Sequence, residues 1–292
     1  MNLFYELKRL GLKNIVMREI IPVYEKTKPA SRIFIPNNLF NKFEAICNKY
    51  NIFIEKGIYK IIGKRDIGKG GWSNKIKRKV SIKSKKGQLP YYISRDKNLA
   101  KRARNAEFKN NDKDFGNLLG FPSCCQKFYV KYYKKANSKQ CDFSLYTLKE
   151  TKEDYPYNAY NNYVAQYFGF SLLSHFPCSF NCKESAKISK RYYNTLVKYS
   201  KRWANSFLYH QKSTIVFTEY RGIFLIKKYK YTCNILYYNN SLIKATLKNK
   251  IYNALKRGDN IRIINKNHFI IQKQNRKLRE LKGENVGLMI FR

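Results

Sequence analysis

The chain has 292 residues, of which 43% are hydrophobic and 16% aromatic, a composition that can build packed cores and excludes a wholly disordered protein. No window approaches the roughly 18 uninterrupted apolar residues of a membrane-spanning helix. The start, MNLFYELKRL, carries charges where a signal peptide needs its apolar region. We therefore expect a cytosolic protein of two or three domains.

The net charge is +41, from 60 Lys and Arg against 19 Asp and Glu. A field of this size attracts polyanions, so nucleic acid, with RNA favoured, is the first expected partner. An anionic membrane surface is the second. The alternative is that the charged surface is simply solvated and that its composition reflects an AT-rich genome. Such a bias would explain the abundance of Lys but not the shortage of Asp and Glu.

Residues 1–63 are predicted to form a small α/β unit. The elements expected there are a helix over 3–10, a strand over 15–24, a strand over 33–36, a helix over 39–49 capped by Asn37 or Asn38, and a hairpin of 52–54 with 58–62 around Gly57.

Residues 64–88 are predicted to be a flexible basic arm or hairpin, because glycines interrupt a run of cations that only Asp66 opposes. Trp72 could stack on a base, as aromatic residues do in single-strand binding, or could be a packing anchor. The residues expected to contact nucleic acid are Lys64, Arg65, Lys69, Trp72, Lys75, Lys77, Arg78, Lys79, Lys83, Lys85 and Lys86.

Residues 89–212 are predicted to form a helical domain and residues 213–292 a β-rich one, which makes the whole chain α+β. The helical domain is expected to contain a strand over 89–94, helices over 97–110 and 112–119, a helix from Cys124, a polar connection over 137–156, a helix over 159–168 and a long helix over 184–208. The β-rich domain is expected to contain strands over 214–217, 223–226, 229–232 and 235–238, a helix over 247–256, a hairpin of 258–264 with 268–271 and a last strand over 286–291.

Two motifs in the helical domain share one design, namely Gly120-Phe121-Pro122-Ser123-Cys124-Cys125 and His175-Phe176-Pro177-Cys178-Ser179-Phe180-Asn181-Cys182. Each has an aromatic–Pro step, then cysteines, then a predicted helix. Proline is favoured at the first helical turn, and a helix N-terminus favours thiolate over thiol. The motifs therefore place cysteines where metal binding or thiol chemistry is expected.

Cys124, Cys125, Cys178 and Cys182 satisfy a four-ligand count, with His175 as a further candidate ligand. Zinc and iron–sulfur clusters both take such thiolates. Two alternatives stay open: buried structural thiols, and a redox or nucleophilic pair in which His175 and Cys125 are the candidate catalytic groups. Cys141 is an outside candidate ligand. Cys47 and Cys233 are expected to be core residues.

The two motifs resemble an uncharacterised, mainly archaeal family known as domain of unknown function 483. Its pattern is Leu-Gly-aromatic-Pro-x-Cys-Cys followed by Ser-His-x-Pro-Cys-Ser-x-x-Cys, which residues 119–125 and 174–182 match position by position. The resemblance covers about residues 96–222 and implies that the cysteines belong to one site. It implies no activity, and the basic arm lies outside the pattern.

The sequence thus favours a metalloprotein, with zinc or an iron–sulfur cluster, that contacts RNA or DNA. The alternative is a thiol or iron–sulfur redox enzyme acting on a small substrate, with the basic surface incidental. A third hypothesis is a basic scaffold or membrane-surface protein with buried thiols. No motif in the sequence assigns a reaction.

Overall fold

The computed structural model describes residues 2–70, 73, 76–140 and 142–292. The helices are α1 (Leu3–Arg9), α2 (Asn14–Tyr24), α3 (Phe40–Lys49), α4 (Lys97–Phe108), α5 (Asp112–Leu118), α6 (Ser123–Lys139), α7 (Ser144–Glu150), α8 (Lys183–Tyr199), α9 (Lys201–Gln211) and α10 (Lys250–Arg257). Short 3-10 helices cover Asn37–Leu39, Ile67–Lys69, Ala159–Asn161, Tyr163–Phe168 and Asn240–Leu242.

The strands are β1 (Ala30–Phe34), β2 (Phe53–Lys56), β3 (Tyr59–Gly63), β4 (Ile76–Ser81), β5 (Pro90–Ser94), β6 (Thr214–Thr218), β7 (Gly222–Ile226), β8 (Tyr229–Thr232), β9 (Ile235–Tyr238), β10 (Ile243–Ala245), β11 (Asn260–Asn265), β12 (His268–Lys273), β13 (Arg276–Lys282) and β14 (Val286–Met289). Helices and sheets share the chain and the C-terminal part is rich in strands, so the predicted α+β class is confirmed.

The strands pair antiparallel in every described sheet. In the N-terminal part, β5 lies between β1 and β2, while β3 and β4 form a separate hairpin. The C-terminal part holds a four-stranded sheet in the order β10-β7-β6-β14 and a five-stranded sheet in the order β13-β12-β11-β9-β8.

The four-stranded sheet is covered on both faces. Along β6 the side chains alternate, as a pleated strand requires: Val216 packs in the core shared with the five-stranded sheet. Ile215 and Phe217 pack on the opposite face, in the core that contains Phe180 of the second cysteine motif. The second motif therefore rests on a sheet.

Helices α8 and α9 complete the N-terminal core. Leu196 and Phe207 are buried in the same cluster as Ile20 of α2 and Ile93 of β5. The helix that begins at the second cysteine motif is consequently anchored against the first part of the chain.

Residues 15–24 form helix α2, so the strand predicted there is wrong. β-branched residues cost a helix only a few tenths of a kcal/mol each, and burying the apolar side chains of Met17, Ile20 and Ile21 outweighs that cost. Pro22 lies inside the helix but close to its end at Tyr24.

The hairpin predicted for residues 52–62 is also wrong. β2 pairs with β5 and β3 pairs with β4. The chain passes over Pro90 between the two strands: the Gly57 N–H donates to the Pro90 carbonyl at 2.8 Å. A Cβ at position 57 would lie 2.7 Å from Pro90 Cγ, so glycine serves this close crossing rather than a turn.

The single helix predicted over 184–208 is divided. Ser200 leaves the helical conformation, with φ of −163°, and its side chain accepts a hydrogen bond from the Trp203 N–H, which caps α9. Two further predictions differ in detail: α3 begins after Leu39 without a side-chain cap from Asn37 or Asn38, and α7 lies within the predicted polar connection.

Candidate metal centre

The first cysteine pair lies in the first turn of α6. Gly120 adopts a left-handed φ of +73° beside Pro29, and Pro122 is the last residue before the helix. Cys124 and Cys125 follow Ser123 in the turn whose backbone N–H groups point out of the helix end. Cys125 is buried and Cys124 is half-buried.

The second motif is a loop held by buried side chains that the sequence analysis did not single out. Asn161 Nδ2 donates to the carbonyls of Phe180 and Cys182, each at 3.0 Å. Thr147 Oγ1 donates to the Pro177 carbonyl at 2.9 Å, and Cys182 is the residue that precedes α8. These amide and hydroxyl contacts fix the loop independently of its cysteines. Their partners are backbone atoms far along the chain, which leave no spacing signal in the sequence.

The structure brings the four motif cysteines into one cluster. Cys124 Sγ lies 3.9 Å from Cys125 Sγ and 3.7 Å from Cys182 Sγ, and Cys125 Sγ lies 3.8 Å from Cys182 Sγ. With Cys178, all four sulfur atoms lie within 4.8 Å of one another. This group could bind a metal ion.

Hydrogen bonds within the cluster favour negative charge on Cys182 and disfavour it on Cys125, and the pKa of Cys178 is also raised. The thiols of Cys125 and Cys178 lower the pKa of Cys182 by hydrogen bonding to it, and the bonds with Cys178 and Cys182 raise the pKa of Cys125. The Cys178 N–H also donates to Cys125 Sγ at 3.4 Å. Since α6 and α8 both begin at the cluster, their partial positive charges favour thiolates there as well.

His175 lies behind the sulfur atoms rather than among them. Its Nε2 is 2.8 Å from Ser185 Oγ, and Ser185 Oγ is 3.1 Å from Cys125 Sγ. The group of candidate ligands within reach of one ion, among the described residues, consists of the four cysteines without His175. Burial, together with the nearby Lys28 ammonium, lowers the pKa of His175 to about 3, so the ring is neutral near pH 7.

A buried charge network lies beside His175. Glu19 forms ion pairs with Lys28 and, at 3.1 Å, with Arg18. Lys28 Nζ also donates to Ser174 Oγ at 2.8 Å. Burial would raise the pKa of Glu19, but Lys28 and Arg18 lower it to about 2. These charges connect α2 to the second cysteine motif.

The predicted nucleic-acid residues divide into two groups. The prediction that Lys69 contacts nucleic acid is wrong, because its side chain is only 1% exposed. Its Nζ lies 3.5 Å from Asp142 and 3.8 Å from Asp66. The cations at residues 64–65 and on the β3–β4 hairpin and the turn after it are exposed, namely Lys64, Arg65, Lys77, Arg78, Lys79, Lys83, Lys85 and Lys86. Trp72, Lys75 and Cys141 lie outside the described residues.

Of the other two cysteines predicted to be core residues, only Cys47 is buried. Cys233 is exposed at the turn between β8 and β9, where its φ is +46°, so that prediction is wrong. The sequence pattern therefore predicted strand β8 correctly, but it did not predict the exposure of Cys233, the residue that follows β8.

Comparison with known proteins gives no relative: no family model, no curated protein and no solved structure matches the chain. Within the described ranges, none of the helices is both long enough and apolar enough to cross a bilayer. The function must therefore be argued from the site itself.

Proposed function

We propose that Cys124, Cys125, Cys178 and Cys182 bind one zinc ion, and that this zinc protein contacts nucleic acid, with RNA favoured. The distances between the sulfur atoms support the zinc part of this proposal. Zn–S bonds of about 2.3 Å in a tetrahedron put the sulfur atoms about 3.8 Å apart. Among Cys124, Cys125 and Cys182 the separations are 3.7, 3.8 and 3.9 Å, and Cys178 Sγ lies within 4.8 Å of all three.

The same spacing favours a single ion over an iron–sulfur cluster. In a cluster with several irons, the cysteine thiolates bind different metal atoms, so their sulfur atoms lie farther apart than the ligands of one ion. The four sulfur atoms here all lie within 4.8 Å of one another. A single iron in four thiolates would share the geometry of zinc, and elemental analysis of the purified protein distinguishes the two.

The proposed role of the ion is structural. Four protein ligands fill a tetrahedral zinc site and leave no position for a substrate or a reactive water molecule. The ion would join the start of α6 to the start of α8, and α8 packs in the N-terminal core through Leu196. His175 and Cys125 are buried, so we assign them to holding the site rather than to catalysis.

The nucleic-acid half is supported by charge. Between residues 64 and 86 the sequence has one acidic residue, Asp66, and it is buried. The exposed cations of the β3–β4 hairpin and its flanking residues therefore have no exposed acidic residue within this stretch of sequence. Clustered exposed cations are the electrostatic footprint of contacts to phosphate. The net charge of +41 adds long-range attraction.

Two measurements test the two halves separately. Cobalt(II) added to the metal-free protein should give the intense visible absorption of tetrahedral thiolate coordination at one equivalent, and the Cys178→Ser variant should not. Binding of a labelled single-stranded RNA should weaken steeply with salt, because each contacted phosphate releases counterions. A cobalt spectrum without thiolate bands overturns the zinc site; an RNA affinity independent of salt overturns the nucleic-acid half.

The second candidate function is a thiol redox enzyme. It is favoured by the partial exposure of Cys124 and Cys178 and by the 3.7 Å separation of Cys124 Sγ and Cys182 Sγ. It predicts that protein purified without oxygen contains no metal and gives up two electrons and two protons to an added disulfide as Cys124 and Cys182 join. Stoichiometric zinc that protects all four thiols from that reagent would exclude it.

A further inference from the structure

Helix α8 presents a basic surface that is separate from the one on the β3–β4 hairpin. A shallow groove of about 420 Å³ runs along its exposed side and meets the turn after α2 at Thr27. The cations that line it are Lys187, Lys190, Arg191 and Lys198, and all four are exposed.

The four cations form one stripe. Lys190 and Arg191 lie three and four residues after Lys187, and Lys198 lies seven residues after Arg191, which places all four on one side of a helix. With a rise of about 1.5 Å per residue, the stripe is about 16 Å long. It is therefore long enough to lie along several successive phosphates of a nucleic-acid strand.

Carboxylates neutralise the groove only at its ends. Lys187 pairs with Glu184 at 2.9 Å and Lys198 pairs with Glu25 at 3.2 Å. Within the described ranges, Lys190 and Arg191 have no carboxylate within 4.0 Å. The hydroxyl groups of Thr27 and Thr195, 3.2 Å apart, lie between the turn and the helix. Both hydroxyl groups donate within the protein, to the carbonyls of Pro22 and Arg191, so the middle of the groove presents the charges of Lys190 and Arg191 alone.

A membrane surface fits this groove poorly. A helix that binds a bilayer inserts apolar side chains between the lipids. The apolar residues of α8, such as Tyr192 and Leu196, are instead buried inside the protein. No large hydrophobic residue between 183 and 199 is among the exposed ones.

We propose that this groove binds the sugar–phosphate backbone of RNA, as a contact surface separate from the β3–β4 hairpin. The inference rests on the nucleic-acid half of the proposed function. Because α8 begins directly after Cys182 and packs in the N-terminal core, its backbone is already ordered, and binding has to order only the cationic side chains.

The test compares three variants on a labelled single-stranded RNA of about 12 nucleotides. K190Q/R191Q removes the central groove charges, K77Q/R78Q/K79Q changes the hairpin, and K273Q/K282Q removes two exposed charges from the five-stranded sheet as a control. We expect the slope of log affinity against log salt to fall by about 1.4 for the groove variant, since each lost phosphate contact is worth about 0.7 for single strands. The control should keep the wild-type slope, and all variants should keep the wild-type melting temperature and metal content.

The outcomes separate this inference from the proposed function. If the hairpin variant loses slope while the groove variant matches the control, the groove proposal is wrong and the proposed function stands. If the wild-type protein binds no RNA at low salt, both fail. If the groove variant keeps its RNA affinity and instead loses binding to phosphatidylserine vesicles, the surface is a membrane contact and the proposal is overturned.

Discussion

Cys125 and Cys182 are separated by 57 residues in the sequence, yet their sulfur atoms lie 3.8 Å apart, where the N-termini of α6 and α8 meet. This contact joins segments that belong to different cores. Phe121, before Cys125, packs with Tyr92 and Leu119, whereas Phe180, before Cys182, packs under the four-stranded sheet.

Replacing Cys182 by Ala should abolish metal binding and lower the free energy of unfolding by more than about 4 kcal/mol, because the binding energy of a structural ion is also folding energy. The matched control is Cys47→Ala. Cys47 is also buried, but it lies in the N-terminal core among apolar residues. That variant should keep the metal and lose about 1–2 kcal/mol. Metal analysis and urea unfolding measure both effects, and equal metal loss in the two variants would contradict the account.

Ser185→Ala should lower zinc affinity about 10- to 100-fold while the fold stays intact, because groups that hydrogen-bond to ligands orient them. Ser185 is the link between His175 and Cys125. Ser189→Ala, one turn later on α8, is the control: Ser189 is buried too, and its Oγ has no hydrogen-bond partner among the described residues. Competition with a chelator gives both affinities; the prediction fails if the two variants bind zinc equally.

Glu19→Gln should destabilise the protein by about 3–5 kcal/mol, because it leaves the buried charges of Lys28 and Arg18 without their carboxylate. Glu184→Gln removes a carboxylate from an exposed ion pair with Lys187 and should cost less than about 1 kcal/mol. Denaturant unfolding of both variants measures the contrast. Similar losses would show that the Glu19 network is not a buried ion pair in solution.

The same carboxylate sets a pH dependence. The pKa of Glu19 is lowered from 4.5 to about 2, so the folded state binds its proton more weakly than the unfolded state does. The stability contributed by the ionised group is present above pH 4.5 and is lost as the pH falls from 4.5 towards 2. The difference in unfolding free energy between wild type and Glu19→Gln should therefore shrink over that window. A difference that does not change with pH would refute this.

The exposed hairpin and buried Lys69 should behave in opposite ways. Neutralising Lys77, Arg78 and Lys79 together should lower the salt slope of RNA binding by about 2 and leave stability unchanged. Lys69→Gln should leave the slope unchanged and lower the melting temperature, because Asp66 and Asp142 lose their buried cation. Salt titrations and thermal unfolding distinguish the two; loss of slope in Lys69→Gln would show that the residue reaches the RNA.

The sequence predicted best those elements that local chemistry determines. β6 to β9 are short β-branched and aromatic runs between turn residues, and the structure has strands there. The helix predicted over 97–110 is present as α4, and the side chain of Asp96 before it accepts hydrogen bonds from the N–H groups of Asn98 and Leu99. The four motif cysteines were grouped because they satisfy a four-ligand count and because the family resemblance implies one site, and their sulfur atoms lie within 4.8 Å of one another.

The elements that the sequence did not predict depend on tertiary contacts. Helix α2 has strand-like residues and becomes a helix because Ile20 and Ile21 are buried against other elements. Lys69 lies in the same basic stretch as exposed cations, and its burial depends on the distant Asp142 as well as on Asp66. Ser185 and Asn161 are unremarkable in the sequence, since their roles come from atoms 10 to 60 residues away.

The most direct test of the central claim is the metal and sulfide content of protein purified without oxygen, measured by elemental analysis and by its visible spectrum. The account predicts one zinc ion per chain, no acid-labile sulfide and no visible absorption. Iron with stoichiometric sulfide would contradict the single-ion site, and protein free of any metal would contradict the metal centre altogether.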